Sequence, residues 1–398
     1  MIIMEKTQVS NINNPADRAT KKILALAGLT IALILALLFG LYKLPADTYI
    51  SNLDTNLNHL SLASDVLYPL EENNASKLHS FTNEHNLLVN NDLVSYISIN
   101  GISEIDIPIE TSAPFSVLSD NFALVVDLNA FNYYLFDHNG LLFRGRTEAP
   151  ILLAEVSNAG HFTFILDEPD TKGMLSLFSV DGSHILDYEL RERLSSGFPI
   201  DLEFTPDATK LFINIINLDS IEIITHIHTI DLEKLEFNYN NNFWSGSSLI
   251  NMDASTDNYL TLANSETFII SDFRETNYKI EFSDISEFYA DEFGVSIIAS
   301  LNEGDAPALF FIDYEDLLSS ETDSPVGPIN IGDKPGAIIA NAANIVVAAD
   351  NGLYIVSKRN PDNTYFHELG DFDILSMVFL NDNQIMLICS DGVRAISI

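Results

Sequence analysis

The stretch YYLFDHNGLLFRG, Tyr133–Gly145, reads as a strand, a tight turn and a returning strand. Its apolar and aromatic residues have high β propensity, and Asn139-Gly140 is a turn dipeptide between them. Two close relatives flank it: SYISINGISEIDI at 95–107 and LSLFSVDGSHILDY at 175–188. Their turn glycines, Gly101, Gly140 and Gly182, recur at spacings of 39 and 42 residues. Asn100-Gly101, Asn139-Gly140 and Asp181-Gly182 predict two-residue type I′ turns, with positive φ at both central positions.

Working outward, each hairpin is preceded by a second one. An apolar run, a polar turn and a more apolar run recur in LLAEVSNAGHFTFIL (152–166), IDLEFTPDATKLFI (200–213) and LINMDASTDNYLTLA (249–263). Two hairpins make four antiparallel strands, and a four-strand unit every ~40 residues is the pattern of a propeller blade. Third strands are expected near 94–99, 133–137, 175–180, 226–231, 267–272, 308–313, 353–357 and 393–397. The fold expected is therefore all-β, a β-propeller of about eight blades, or seven if the two ends share one. The last unit lacks a returning strand, so a strand from within 77–90 is expected to complete it and close the ring.

The N-terminal region has a different character. Residues 23–42, ILALAGLTIALILALLFGLY, contain no charge. As a helix they would span about 30 Å, the thickness of a bilayer core. Arg18, Lys21 and Lys22 precede the run and only Lys43 follows it. The excess of positive charge predicts a cytoplasmic N-terminus and an extracellular remainder. The expected organisation is a cytoplasmic tail (1–22), a transmembrane helix acting as signal anchor (23–42), a juxtamembrane helical stalk and linker (43–76) and a β-propeller domain (77–398). Ile50, Leu53, Leu57 and Leu60 give the stalk its helical spacing.

The chain has 398 residues, with 57 Asp and Glu against 19 Lys and Arg. Residues 1–43 hold five of the bases and two of the acids, which leaves the rest of the chain with 14 bases and 55 acids. Such a surface repels phosphate backbones, so nucleic acid is not an expected partner. It would attract cations or a basic partner. Cys389, the only cysteine, sits in QIMLIC and is expected to be a buried thiol.

Arrangement and segments such as NLLVNNDLVSYISINGISEI, SSGFPIDLEFTPDATKLFINII and ITHIHTIDL resemble a family of single-pass membrane proteins of Firmicute bacteria. That family is a domain of unknown function, so the resemblance implies an extracytoplasmic β-propeller-like domain and no activity. TPDATKLFI, 205–213, is also similar to the SPDG turn of WD40-like propellers.

No nucleophile elbow, zinc-protease helix, phosphate loop, paired Cys motif or calcium loop is present. The sequence therefore nominates no catalytic, cofactor-binding or metal residue. Three stretches carry side chains that could serve a site. DEPDTKG, 167–173, reads as a solvated acidic hairpin tip. THIHTID, 225–231, puts His226 and His228 on one strand face near Asp231, two imidazoles with no marked third ligand. Trp244, in NYNNNFWSGSS, is expected on a long inter-blade loop, where it would fill a gap or anchor a partner. The leading expectation is a membrane-anchored binding or scaffold module for an envelope protein, peptide or glycan. The alternative is a glycan-acting surface hydrolase with carboxylates at the central pit. A sensor relaying through the 22-residue tail is a third.

Overall fold

The computed structural model describes residues 66–70 and 77–398, apart from 83, 191–196, 219–220, 239–242, 246–247, 255, 273–275, 319–324, 333, 350–351 and 370–372. The transmembrane and stalk-helix expectations for 23–42 and 50–60 lie outside these residues. Among the described residues no helix is long and apolar enough to cross a membrane.

Eight antiparallel sheets of at least four strands follow one another along the chain. Blades 1 to 7 run over 78–108, 114–146, 151–189, 198–245, 251–281, 284–330 and 335–368. Blade 8 takes three strands from 374–397 and its fourth from Val66–Pro69. The strand count and the third-strand positions agree with the periodicity of the sequence. The closing strand does not. It comes from residues assigned above to the stalk and linker, whereas Leu78–Ser80 and His85–Val89 open blade 1. Too few apolar residues mark so short a strand: only Leu67, Tyr68 and, just past its end, Leu70 follow Val66.

The reason for the long apolar runs lies in the packing. All five residues of Phe162–Leu166 are buried, as are all seven of Gly294–Ser300. A strand with a neighbouring blade on each side has no solvent face, so its sequence does not alternate. Outer strands alternate, as in Ser103–Pro108 and Gly140–Arg146. Buried apolar side chains form a separate cluster between each pair of neighbouring blades, including blades 8 and 1. The core is thus a ring of interfaces rather than one central mass.

The turns correct the expected hairpin type. Gly101 and Gly182 have φ of 78°, but Asn100, Asn139 and Asp181 are not in the left-handed region. At 179–183 the amide of Gly182 donates to the Ser179 carbonyl (2.8 Å), and the Ser179 amide to the Ser183 carbonyl (2.9 Å). A register slip follows at Leu177/Phe178. This is a type I turn closed by a left-handed glycine bulge, which needs positive φ at one residue instead of two. The aspartate serves by its side chain: Asp181 Oδ1 accepts from the Ser183 amide at 3.0 Å.

Trp244 is also placed differently. The Phe243–Ser245 strand pairs with the third strand of blade 4, with Trp244 opposite Thr225. It therefore belongs to an outer edge strand and not to an inter-blade loop. Cys389 is buried as expected.

A Cβ at Gly182 would lie 2.4 Å from the Phe143 ring of blade 2. Gly182→Ala is expected to cost about 2–4 kcal/mol, combining left-handed strain with overpacking. Urea unfolding midpoints of the two proteins measure it.

Candidate functional site

The first strand of each blade lines the centre of the ring, running from the loop that enters the blade toward its first turn. Several of these strands carry a bulge, with slips at Ile151/Leu153, Pro199/Asp201, Ile285/Glu287 and Ile374/Ser376. A bulge re-aims the side chains that follow it. Acids stand after three of these, and none after a fifth slip at Pro335/Ile338 on blade 7: Glu155 is on blade 3, Asp201 and Glu203 on blade 4, Glu287 on blade 6. Asp253 occupies the first strand of blade 5.

Local hydrogen bonds hold this group. Glu155 Oε1 accepts from the Val156 amide at 2.9 Å, and Asp201 Oδ1 from the Leu202 amide at 3.0 Å. Asp201 Oδ2 accepts from the Met252 amide of blade 5 at 3.2 Å. The carboxyl groups are close enough to repel one another and are withdrawn from water. Burial pushes Glu155 up to about 8, with the Asp201 charge adding to the rise. Burial pushes Asp201 up to about 6, helped by Asp253. Glu203 is raised well above the carboxylate range by burial and by Glu155, Asp253 and Asp201. Glu155 therefore carries its proton near neutral pH, and Glu203 is pushed in the same direction.

These two side chains open on a cavity of about 1320 Å³ at the first-turn end of the ring. Seven of the eight blades contribute to its wall. Phe81, Leu118, Val156, Phe204 and Phe379 give it apolar surface, and Glu84, Asp120 and Glu292 stand with them. No lysine or arginine is among the described residues lining it. The turns around it are tied together. Asn158 Oδ1 accepts from the Asp120 amide at 2.9 Å, and its Nδ2 donates to Asp120 Oδ2 at 3.0 Å and to the Pro206 carbonyl at 3.5 Å. Asp257 Oδ1 accepts from the Asp207 amide at 2.9 Å. Blades 2 to 5 thus share one hydrogen-bonded rim.

The acidic, histidine-bearing and tryptophan-bearing stretches fall elsewhere. His226 and His228 share a face of the third strand of blade 4, away from the cavity. His228 is buried, and burial with the neighbouring His226 lowers it to about 4. Asp231 is engaged with Lys234. No group of three or more metal-ligating side chains occurs among the described residues. DEPDTKG joins the second and third strands of blade 3. The acids of the pit were missed, although the sequence carries a signal. Each interrupts the first apolar run of a blade, as in LLAEV, IDLEF and LINMD.

The raised carboxyl groups bind protons more tightly folded than unfolded. Their stabilising contribution is complete below the ordinary carboxylate range and is lost as pH rises through about 6 and about 8. Thermal midpoints are expected to fall between pH 5 and pH 8. Glu203→Gln is expected to flatten that fall.

Solved structures share the architecture. BamB from Moraxella catarrhalis is 12% identical, with a TM-score of 0.52 over 83% of this chain and 98% of its own. AztD from Citrobacter koseri is 9% identical, TM-score 0.52, over 74% of this chain and 86% of its own. A eukaryotic initiation factor is 9% identical, TM-score 0.52, over 82% of both chains. At such identities the likeness concerns the fold alone. No curated protein sequence matches the chain. The sequence profile of a family of unknown function, DUF5711, matches residues 64–292, from the closing strand into blade 6, and the chain belongs to that family.

Proposed function

We propose that the chain is a binding module whose central pit takes a basic segment of a protein or peptide partner. One observation carries this reading: a cavity walled by seven blades contains carboxyl groups raised by burial and apolar surface, with no lysine or arginine among the described residues lining it. A lysine or arginine entering the pit would take the place of a proton. The cation would favour the ionised carboxyl groups, and the aromatic wall would pack along its aliphatic stem. A broad concave face assembled from many loops suits such recognition.

The rest of the proposal concerns place. Residues 23–42 anchor the chain in the bilayer, the Arg18, Lys21 and Lys22 flank stays cytoplasmic, and the propeller stands outside, in a Firmicute-type envelope. The charge distribution and the family resemblance support this arrangement. A glycan-acting hydrolase is the second reading. Asp201 and Glu155 hold their protons to about pH 6 and about pH 8, a split that can separate a base from an acid.

Titration calorimetry with lysine- and arginine-rich hexapeptides tests the first reading. Binding should tighten from pH 6 to pH 9 and release protons, seen as heats that vary with the buffer's ionisation enthalpy. Glu155→Gln with Glu203→Gln should weaken it by about tenfold or more, corresponding to a lost charge pair. Equal binding of neutral hexapeptides, or no proton release, would sink it. The hydrolase reading requires reducing-sugar release from envelope polysaccharide that is abolished by Asp201→Asn.

A further inference from the structure

Blade 8 differs from the others in how its outer strand is attached. In blade 3 a turn at 179–183 ties the fourth strand to the third. The Val66–Pro69 strand has no such tie, since its partner Gly392–Ser397 lies at the other end of the sequence. The pairing is short: Val66 opposite Arg394, Tyr68 opposite Val393 and Pro69 opposite Gly392, with a slip between Val66 and Tyr68. The amide of Leu70 reaches the Asp391 carbonyl only at 3.4 Å. Of the described side chains in the strand only Tyr68 is buried, at 7% exposure, while Leu67 is 39% exposed.

The socket for this strand is built from elsewhere. Asn86 of blade 1 donates from Nδ2 to the Tyr68 hydroxyl at 3.0 Å. The absent side chain of Gly101 leaves room for Tyr68, because a Cβ there would lie 2.1 Å from the Tyr68 Cβ. Met386, Ile388, Val393 and Leu78 complete the apolar wall. A few backbone pairs and one aromatic plug hold a segment that no hairpin restrains. Such a segment opens locally far more often than the blades unfold. When it leaves, the edge of Gly392–Ser397 becomes a template for another strand.

We propose that Val66–Pro69 is an exchangeable closing strand, and that the blade 8 edge accepts the same segment from a second copy of this chain. The socket is shaped for this sequence, and every copy presents it. Exchange joins two rings without any new interface chemistry.

The test uses the full chain in detergent on a Cys389→Ala background. Chains carrying Val66→Cys are mixed with chains carrying Arg394→Cys under mild oxidation. Intermolecular disulfide should form at roughly tenfold the yield of a control mixture in which Asp382→Cys replaces Arg394→Cys, the excess reporting the local concentration set by strand pairing. Tyr68→Ala in the donor chain should return the yield to the control level. A chain with both cysteines that closes on itself, while the mixture stays at the control level, overturns the proposal. If Arg394→Cys prevents folding, Leu70→Cys and Asp391→Cys read the same pairing with the same two outcomes.

Discussion

Burial of each blade on both faces is the constraint on which the rest of this structure depends. A four-stranded sheet with two apolar faces has no stable existence alone, so every blade needs a neighbour on either side. An open row would leave two apolar faces in water. The ring removes both, and the cluster joining Tyr68 and Leu78 to Met386 and Val393 is where that closure happens. The central channel follows from the same constraint, since eight sheets packed side by side leave a space that their first strands alone can line.

That constraint also explains what the sequence made legible. Second and third strands lie between two blades and are apolar throughout, so they announce themselves, as ALVVDL at 123–128 and KLFINII at 210–216 do. Turn glycines mark the outer hairpins because a left-handed position has few other occupants. The turn type was misread because Asn139 and Asp181 suit two geometries. In one they lend a backbone conformation, and in the other a side-chain hydrogen bond, accepted by Asp181 and donated by Asn139. The closing strand was misplaced because its pairing is held by a single buried tyrosine, which has no period of its own.

The pit was the least legible part. Its acids are chemically identical to dozens of surface acids, and only depth and mutual proximity separate them. Glu155 and Asp201 each cap the next backbone amide within a bulged strand. A device that looks local thereby fixes carboxyl groups beside one another at the wall of the pit. The outcome is a site in a strongly acidic protein where a carboxyl group such as Glu155 gives up its proton less readily than a surface acid does.

The position of the closing strand has a consequence in time. Val66–Pro69 leaves the ribosome before the strands of blades 1 to 7, and its partner at Gly392–Ser397 is made after them. At about 5–20 residues per second, the interval is roughly 16 to 65 seconds. Through that interval the earlier blades can pack in order, each on the one before it, while Tyr68 has no socket and the ring has no end. Synthesis of the final strand is therefore the step that turns a growing stack of sheets into a closed object.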